Sequence, residues 1–470
     1  MAEAAYAQLV KDARVTFARG RTLPVEYRKE QLVKLRDLIS ENEEALYEAV
    51  YKDVRRPKAE AINFETLMLL NEINTAIAEV KNWSKPTKVS RNVLQLTDSA
   101  YLHKDPLGVV LIIGAWNYPI NLLLAPLIGA IAAGNCVILK PSEVSQHTAE
   151  LLAQLIPKYL DSEAIKVVTG GVEETTALLK QRFDHIFYTG STAVGKVIMR
   201  AAAEHLTPVT LELGGKCPVI VEKSVDLGIV ARRVAWGKFS SCGQTCVGVD
   251  YLLCPPELKP KLIEELKKVL KEFYGDDVKA SQDYCRFATD RHFDRVMGLL
   301  NATKGTVVHG GSHDKADLFL EPTIVDNVEA DDPLMQEEIF GPILPIVNIA
   351  DTKAAVAHIN AREKPLALYM FSSDQASIDY VLNSTSSGNV TINDTMMHMS
   401  LDTLPFGGVG NSGHGRYHGK FSFDCFTHEK GVLHRPTGVE KMIWMRYPPF
   451  DEKKIYWAKM AITKRKIPFL

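Results

Sequence analysis

The sequence has no excess of charge of either sign and few cysteines. Its 470 residues carry 55 Lys and Arg against 57 Asp and Glu, a net charge of −2. Without a basic surplus we expect no nucleic-acid partner. The seven cysteines are odd in number and show no disulfide framework. Residues 1–21 also lack the apolar core of a signal peptide. A reducing compartment, the cytoplasm, is therefore expected.

A clean membrane-spanning run is also missing. Val109–Leu139 is mostly apolar and could be taken for a span, but polar or turn-forming residues interrupt it at Asn117 and Gly134. A buried strand–helix–strand unit also reads as nearly continuous apolar sequence, and we favour that interpretation. Its predicted elements are a strand, a helix and a strand, at Val109–Ile113, Leu122–Ala133 and Cys136–Lys140.

The remaining pattern predicts two α/β units, since the chain exceeds what one hydrophobic core usually serves. Residues 1–80 have apolar residues at helical spacing. From Val109 to Leu213, apolar runs alternate with helical stretches, which predicts a parallel, doubly wound sheet. A second, less sharp alternation follows Gly214. Smaller predictions are a hairpin arm, a glycine-rich loop and a late strand, at 93–105, 404–416 and 420–428.

The stretch YTGSTAVGK, Tyr188–Lys196, is a candidate phosphate-binding turn. Gly190 and Gly195 would let the backbone approach a ligand, and the start of a helix offers free N–H groups. The spacing is not Gly-x-Gly-x-x-Gly, so the usual dinucleotide fingerprint is absent. A Ser or Thr helix cap with two convenient glycines is the alternative.

LKPSE, Leu139–Glu143, follows a predicted strand of the same sheet, at the edge where open α/β sheets bind ligands. The Glu143 carboxylate could accept hydrogen bonds from ribose hydroxyls and would repel a 2′-phosphate. Lys140 stands at the same edge. The alternative is an ordinary capping sequence, with Ser142 as the cap and Glu143 in the first turn of the helix.

Two glutamates are candidates for proton transfer. Glu212, in LELGGK, ends a predicted buried strand, where apolar surroundings would raise the carboxyl pKa and make a base for near-neutral pH. A strand-end glutamate facing solvent is the alternative. Glu338, in QEEIFGP, precedes a predicted turn, a pattern that means little by itself.

KFSSCGQTCVG contains Cys242 and Cys246. No second Cys/His pair lies close by, which argues against zinc and predicts no metal site. The spacing is not that of a redox Cys-x-x-Cys. A nucleophile and plain packing both remain for each thiol.

Together these segments resemble the aldehyde dehydrogenase superfamily, and within it class 3, especially the fatty aldehyde dehydrogenase branch. The resemblance covers nearly the whole chain and rests on seven motifs in order: GAWNYP, LKPSE, YTGSTAVGK, LELGGK, GQTC, QEEIFGP and LPFGGVGNSGHG. It implies an α/β fold with a Rossmann-like NAD-binding domain, a second α/β catalytic domain and a small β oligomerisation arm. The implied bounds are 1–83 and 105–213, 214–416, then 84–104 and 417–432 for the arm, and 433–470 for a tail.

The resemblance also implies roles for matching residues. Cys246 would be the nucleophile and Glu212 the general base, with Glu338 as a second candidate base. Asn117 would hold the oxyanion together with the Cys246 backbone N–H. The implied cofactor is NAD, with NADP accepted by related class 3 enzymes. The implied cofactor-binding residues are Trp116, Lys140, Glu143, Gly190, Ser191, Gly195, Glu338 and Phe340.

The implied reaction is oxidation of medium- to long-chain aliphatic aldehydes to acids, through a thiohemiacetal and a thioester on Cys246. Isoprenoid or aromatic aldehydes remain alternatives. An acylating enzyme, which passes the thioester to CoA or phosphate, is disfavoured by Glu212. A non-catalytic, crystallin-like role is disfavoured because Cys246, Glu212 and Asn117 are all present. The short amino terminus resembles that of the dimeric class, so a homodimer is expected.

The sequence of the tail predicts a peripheral contact with a membrane, such as the cytoplasmic face of the endoplasmic reticulum. Lys464–Lys466 suits an anionic surface, while the last residues are too few to span a bilayer. A tail docked on the protein surface is the alternative. The residues expected on one face of an amphipathic helix are Trp457, Met460, Ala461 and Ile467.

Overall fold

The computed structural model describes residues 2–91, 95 and 97–462. Parts of the predicted hairpin arm, at 92–94 and 96, and the predicted features Lys464–Lys466 and Ile467 lie outside the described residues. The helices are α1 (Ala2–Ala18), α2 (Val25–Glu41), α3 (Glu43–Val54), α4 (Lys58–Ala61), α5 (Leu67–Trp83), α6 (Asn121–Ala133), α7 (Gln146–Tyr159), α8 (Val172–Leu179), α9 (Thr192–Ala203), α10 (Leu227–Phe239), α11 (Lys259–Tyr274), α12 (Asp290–Ala302), α13 (Thr352–Asn360), α14 (Gln375–Ser384), α15 (Lys420–Cys425) and α16 (Glu452–Ile462).

The strands form three larger sheets and one short pair. Their bounds are β1 (Thr87–Lys88), β2 (Ser99–Pro106), β3 (Val109–Ile113), β4 (Cys136–Lys140), β5 (Ile165–Val167), β6 (His185–Thr189), β7 (Val209–Glu212), β8 (Pro218–Val221), β9 (Tyr251–Cys254), β10 (Thr306–His309), β11 (His313–Asp314), β12 (Phe319–Leu320), β13 (Thr323–Asp326), β14 (Ile343–Asn348), β15 (Ala367–Phe371), β16 (Asn389–Ile392), β17 (Gly413–His414) and β18 (Thr427–His434).

The first sheet has the order β17-β7-β6-β3-β4-β5 and is parallel apart from β17. Strands β3 and β4 have the predicted bounds and every residue in them is buried. Helix α6 between them is buried along its whole length. The apolar run from Val109 is therefore a core strand–helix–strand unit, as predicted, because both faces of a parallel sheet are covered by helices.

The strand order places several loops at one edge of this sheet. From β3 the chain builds β4 and β5 on one side, then returns to place β6 and β7 on the other. Parallel strands end at the same edge, and the crevice at such a reversal is where open α/β sheets bind ligands. The segments that follow β3, β4, β6 and β7 therefore meet there.

The second sheet has the order β10-β13-β14-β9-β8-β15-β16 and is parallel except for β10. The prediction of a second α/β unit is confirmed. Three of its helices begin at side chains that accept first-turn N–H groups: Asp226 for α10, Asp351 for α13 and Asp374 for α14. Such caps satisfy donors that a helix start otherwise leaves free.

The third sheet is the small antiparallel arm β1-β2-β18. One prediction near it is wrong: residues 420–425 of the expected strand 420–428 are helix α15. Ser422 and Phe423 are buried together while Lys420 pairs with Asp424 one turn on, so the period is helical rather than alternating. In the arm, β2 ends at Pro106 and β18 at His434.

Strand β17, Gly413–His414, lies just before the implied boundary at residue 416. It lies in the segment assigned to the second domain but pairs with β7 of the first sheet. Within the described ranges 2–91, 95 and 97–462, none of the helices combines the length and the apolar character needed to cross a bilayer.

Candidate active site

The turn after β6 begins helix α9 at the ligand-binding edge of the first sheet. Ser191 is the N-cap, and its hydroxyl accepts the Val194 N–H at 3.4 Å. The N–H groups of Thr192 and Ala193 have no acceptor inside the helix, because the first turn never supplies one. A Cβ on Gly195 would lie 3.0 Å from Leu213, so this glycine lets α9 pack closely on the strand end. The turn has the chemistry of a phosphate site.

Gly190 and the LKPSE segment complete that side of the edge. A Cβ on Gly190 would overlap the Tyr188 hydroxyl. The Lys140 ammonium is buried and donates to the Pro141 carbonyl at 2.8 Å and to Glu143 Oε2 at 3.0 Å. Glu143 itself is exposed, so its carboxylate remains accessible to a polar ligand.

Cys246 sits at the end of a tight loop that follows α10. Ser241, Cys242 and Gly243 all have left-handed backbones, with φ of 56°, 55° and 71°. A Cβ on Gly243 would overlap the Gly341 carbonyl oxygen, so the loop is pressed against QEEIFGP. Cys246 is only partly buried, and its sulfur accepts backbone N–H groups from Val247 and from itself. Burial and the nearby charges of Glu338 and Glu212 raise the pKa of its thiol to about 12.

Glu212 ends β7 with its carboxyl facing inward. The residue is 3% exposed, and neither carboxyl oxygen has a hydrogen-bond partner within the described structure. Burial raises its pKa well above the usual value. A buried carboxyl without a partner is costly, and such groups concentrate at functional sites. The solvent-facing alternative for this residue does not occur.

Glu338 is the second carboxyl that acts on the Cys246 thiol. It accepts the backbone N–H of Gly215, and burial followed by the charge of Asp250 raises its pKa to about 8. A Cβ on Gly214 would overlap this carboxyl, so the two glycines of LELGGK let it approach the backbone.

Trp116 and Phe340 supply aromatic surface beside these groups. Their rings meet edge to face with centroids 5.5 Å apart. Trp116 also stacks on His292, at 4.5 Å. Phe340 has a left-handed backbone, with φ of 48°.

Asn117 joins the loop after β3 to the Cys246 loop. Its side-chain amide donates to the Gln244 carbonyl at 3.0 Å. The neighbouring Tyr118 hydroxyl bonds Thr245 Oγ1 at 2.6 Å. The amide nitrogen carries two hydrogens, so a second one remains for another acceptor.

Cys242 lies apart from this group. Its thiol is fully buried and lies 3.8 Å from the Tyr284 hydroxyl. Burial raises the pKa of the Cys242 thiol to about 12.

Sequence reasoning missed the groups that hold these loops together. Lys216 Nζ donates to Asp250 Oδ2 at 2.6 Å and to the backbone carbonyls of Leu334 and Glu337. Asp250 Oδ1 accepts the Ile339 N–H at 3.1 Å, so this ion pair fixes the QEEIFGP loop. Lys216 stands within LELGGK and could have been singled out there.

Comparison with known proteins gives consistent results. The model of the Aldehyde dehydrogenase family matches residues 1–432. A Rattus norvegicus protein named "Aldehyde dehydrogenase, dimeric NADP-preferring" is 51% identical over 94% of this chain and 98% of its own length. The Pongo abelii protein "Aldehyde dehydrogenase family 3 member A2" is 49% identical over 97% of this chain and 94% of its own length. A solved structure described as the substrate-bound state of Staphylococcus aureus AldH superimposes with a TM-score of 0.94 at 43% identity, covering 96% of this chain and 98% of that one.

Proposed function

Since the chain belongs to the aldehyde dehydrogenase family, we propose that it oxidises medium- to long-chain aliphatic aldehydes to carboxylic acids with NAD or NADP, using Cys246 as nucleophile. The observation that carries the mechanism is the grouping of this thiol with two carboxyls, the buried Glu212 and the half-buried Glu338, whose charges both act on it. Such a grouping pairs a nucleophile with bases that can take its proton.

In the first step, the Cys246 sulfur loses its proton to one of the two carboxylates and attacks the aldehyde carbon. The new S–C bond moves the carbonyl electron pair onto oxygen. The second Asn117 amide hydrogen and the Cys246 backbone N–H donate to that oxygen, and fixed donors of this kind lower the barrier. The product of this step is a thiohemiacetal.

Collapse of the thiohemiacetal oxyanion restores the C=O bond while the C–H bond breaks and the hydrogen leaves with its electron pair as hydride, so that a thioester remains on Cys246. When bound, the nicotinamide supplies the hydride acceptor for this step. Glu212 then takes a proton from a water molecule, whose oxygen attacks the thioester and releases the acid and the thiol. Neither carboxyl oxygen of Glu212 has a hydrogen-bond partner among the described residues, so the carboxyl is available to that water. Glu338 is the second candidate for this role.

The residues present fit a dinucleotide. The first turn of α9, capped by Ser191, offers free N–H groups to a diphosphate. Glu143 and Lys140 stand at the same sheet edge and would contact the adenosine ribose. Glu143 favours NAD because its carboxylate would repel a 2′-phosphate. Phe340 and Glu338 would contact the nicotinamide end.

The rings near the nucleophile support an apolar substrate. Phe64 lies 6.0 Å from Tyr118 and 5.9 Å from Trp236, centroid to centroid. Tyr118 reaches Thr245, the residue before Cys246. An aliphatic chain would lose unfavourable contact with water on packing against such rings.

A series of kcat/KM values tests both substrate and cofactor. Hexanal, hexadecanal, farnesal and benzaldehyde are each measured with NAD and with NADP. We expect hexadecanal to exceed benzaldehyde at least tenfold. A preference for farnesal or benzaldehyde would replace the aliphatic assignment, and no NAD(P)H from any aldehyde would refute the enzyme itself.

We also propose a homodimer. Strands β18 and β16 are the outer strands of the arm and of the second sheet. Exposed strand edges pair readily with another chain, so β18 of one copy would extend the sheet of the other at β16. Light scattering after size exclusion should give twice the mass of the 52.2 kDa chain.

The tail is proposed to touch the cytoplasmic face of a membrane such as the endoplasmic reticulum. Helix α16 exposes Ile455, Tyr456 and Trp457 close to lysines, a combination suited to an anionic interface. Flotation with phosphatidylserine vesicles tests this, and a chain ending at residue 451 should not float.

A further inference from the structure

A fully buried cation lies behind the loop that carries Asn117. Arg56 follows α3, and its side chain is 1% exposed. Its guanidinium donates to the Asn117 backbone carbonyl and, at 2.5 Å, to Ser241 Oγ. The same group pairs with Glu65 at 2.6 Å, and Glu65 is 0% exposed. A buried charge persists only where it is paired and hydrogen-bonded, so these contacts define where Arg56 can sit.

Glu65 binds the other end of the same loop. Its Oε2 accepts the backbone N–H of Ile120 at 3.1 Å and of Asn121 at 2.8 Å. The pair thus holds the segment 117–121 at both ends, through one carbonyl and two N–H groups. The side chain of Asn117 has little freedom once its backbone is held in this way.

Arg56 also holds the loop that leads to Cys246. Ser241 has a left-handed backbone, φ 56°, which is unfavourable for a residue with a Cβ. Its hydroxyl accepts from Arg56, and its N–H donates to Glu60 Oε2 at 3.0 Å. One guanidinium therefore contacts both loops whose donors would face the substrate oxygen.

A purely structural role for Arg56 is the simpler interpretation, and a second buried arginine, Arg28, shows what such a role looks like. Arg28 is also buried, and it donates to the backbone carbonyls of Thr22, Leu23 and Ala132. None of these residues belongs to the loops around Cys246. Arg28 therefore serves as a matched control for burial and hydrogen bonding without contact to the site.

We propose that the Arg56–Glu65 pair is a positioning device that sets the Asn117 amide relative to the Cys246 backbone N–H, so that both donors meet one substrate oxygen. The inference rests on the proposed dehydrogenase function. Arg56 does not touch the substrate and acts through Asn117, so it is a positioning residue rather than a catalytic one.

The test is a double-mutant cycle on the full chain. Arg56→Met should lower kcat by about 10- to 100-fold, less than or equal to the loss of one oxyanion donor, with the KM for NAD(P) changed less than twofold. Adding Arg56→Met to Asn117→Ala should cost less than about twofold more, because the two residues act on one interaction. Arg28→Met should leave the kcat of the folded protein within about twofold of the original.

Two results overturn the proposal. One is a kcat for Arg56→Met within twofold of that of the unsubstituted protein. The other is a double variant in which Arg56→Met lowers the kcat of Asn117→Ala by the same factor as it does alone. If Arg56→Met does not fold, Arg56→Lys decides, because one ammonium cannot bridge Asn117, Ser241 and Glu65 in the same geometry. The Arg56→Lys variant should lose at least about fivefold in kcat, and an unchanged kcat would refute the proposed positioning role of the Arg56–Glu65 pair. An original chain inactive on every aldehyde would instead refute the proposed function.

Discussion

The side-chain amide of Asn117 donates a hydrogen bond to the backbone carbonyl of Gln244 at 3.0 Å, across 127 residues of sequence. This bond ties the loop after β3 to the loop that presents Cys246. It places an amide from the first sheet's edge beside Cys246, the proposed nucleophile, which follows α10 of the second unit. The proposed oxyanion site therefore exists only when both units are assembled.

Asn117→Ala should lower kcat by about 10²- to 10³-fold, because it removes one fixed donor to the developing oxyanion. The KM for NAD(P) should stay within twofold, since the amide makes no proposed contact with the cofactor. Steady-state rates with saturating hexanal check this. An unchanged kcat would remove Asn117 from the mechanism.

Cys246→Ser should abolish NAD(P)H formation, with a loss of at least about 10³-fold, because a serine hydroxyl is a far weaker nucleophile than a thiolate. Cys242→Ser is the matched control and should keep most of the activity of the folded protein. Equal losses in the two variants would refute the assignment of different roles to these cysteines.

Glu212→Gln should separate the two halves of the reaction. Without a base to activate water, the first turnover should release about one equivalent of NAD(P)H per site and later turnovers should be slow. Stopped-flow absorbance measures the burst. If Glu338→Gln gives the burst and Glu212→Gln does not, then Glu338 rather than Glu212 is the base that activates water.

The pH profile should report Glu338. Burial raises its pKa to about 8, so the carboxyl is largely protonated below that pH and becomes a base above it. The value of kcat/KM should therefore rise between about pH 7 and 9. Glu338→Gln should remove this inflection, and a profile unchanged by the substitution would show that another group titrates.

Gly243→Ala should destabilise the protein more than Gly275→Ala. Both glycines have positive φ, 71° and 79°, but only the Cβ at 243 meets another group, the Gly341 carbonyl. No described atom lies within 4 Å of a Cβ on Gly275, so its cost is the backbone strain alone, about 1–3 kcal/mol, because φ 79° with ψ −169° is nearly restricted to glycine. Urea unfolding midpoints compare the two variants. Equal midpoints would show that the loop containing Gly243 is not in close contact with Gly341.

The sequence alone determined the layered α/β fold and much of its detail. Strands β3 and β4 have the predicted bounds because β3 is wholly apolar, β4 is apolar up to Lys140, and Gly114 and Pro141 follow them. It failed at 420–425, where aromatic residues fit a strand as well as a helix until packing chooses the period. Its motifs also named the candidate groups around Cys246, but not Asp250, whose contacts with Lys216 and Ile339 form only in the folded chain.

Only the tertiary structure decided how those groups act on one another. The raised pKa of Cys246 depends on burial and on two carboxylates that arrive from other segments. Arg56 has no local signal of importance, because the contacts that single it out lie 61 and 185 residues away. Local sequence fixes which side chain stands at a strand end, whereas desolvation and charge act through space and require the assembled fold.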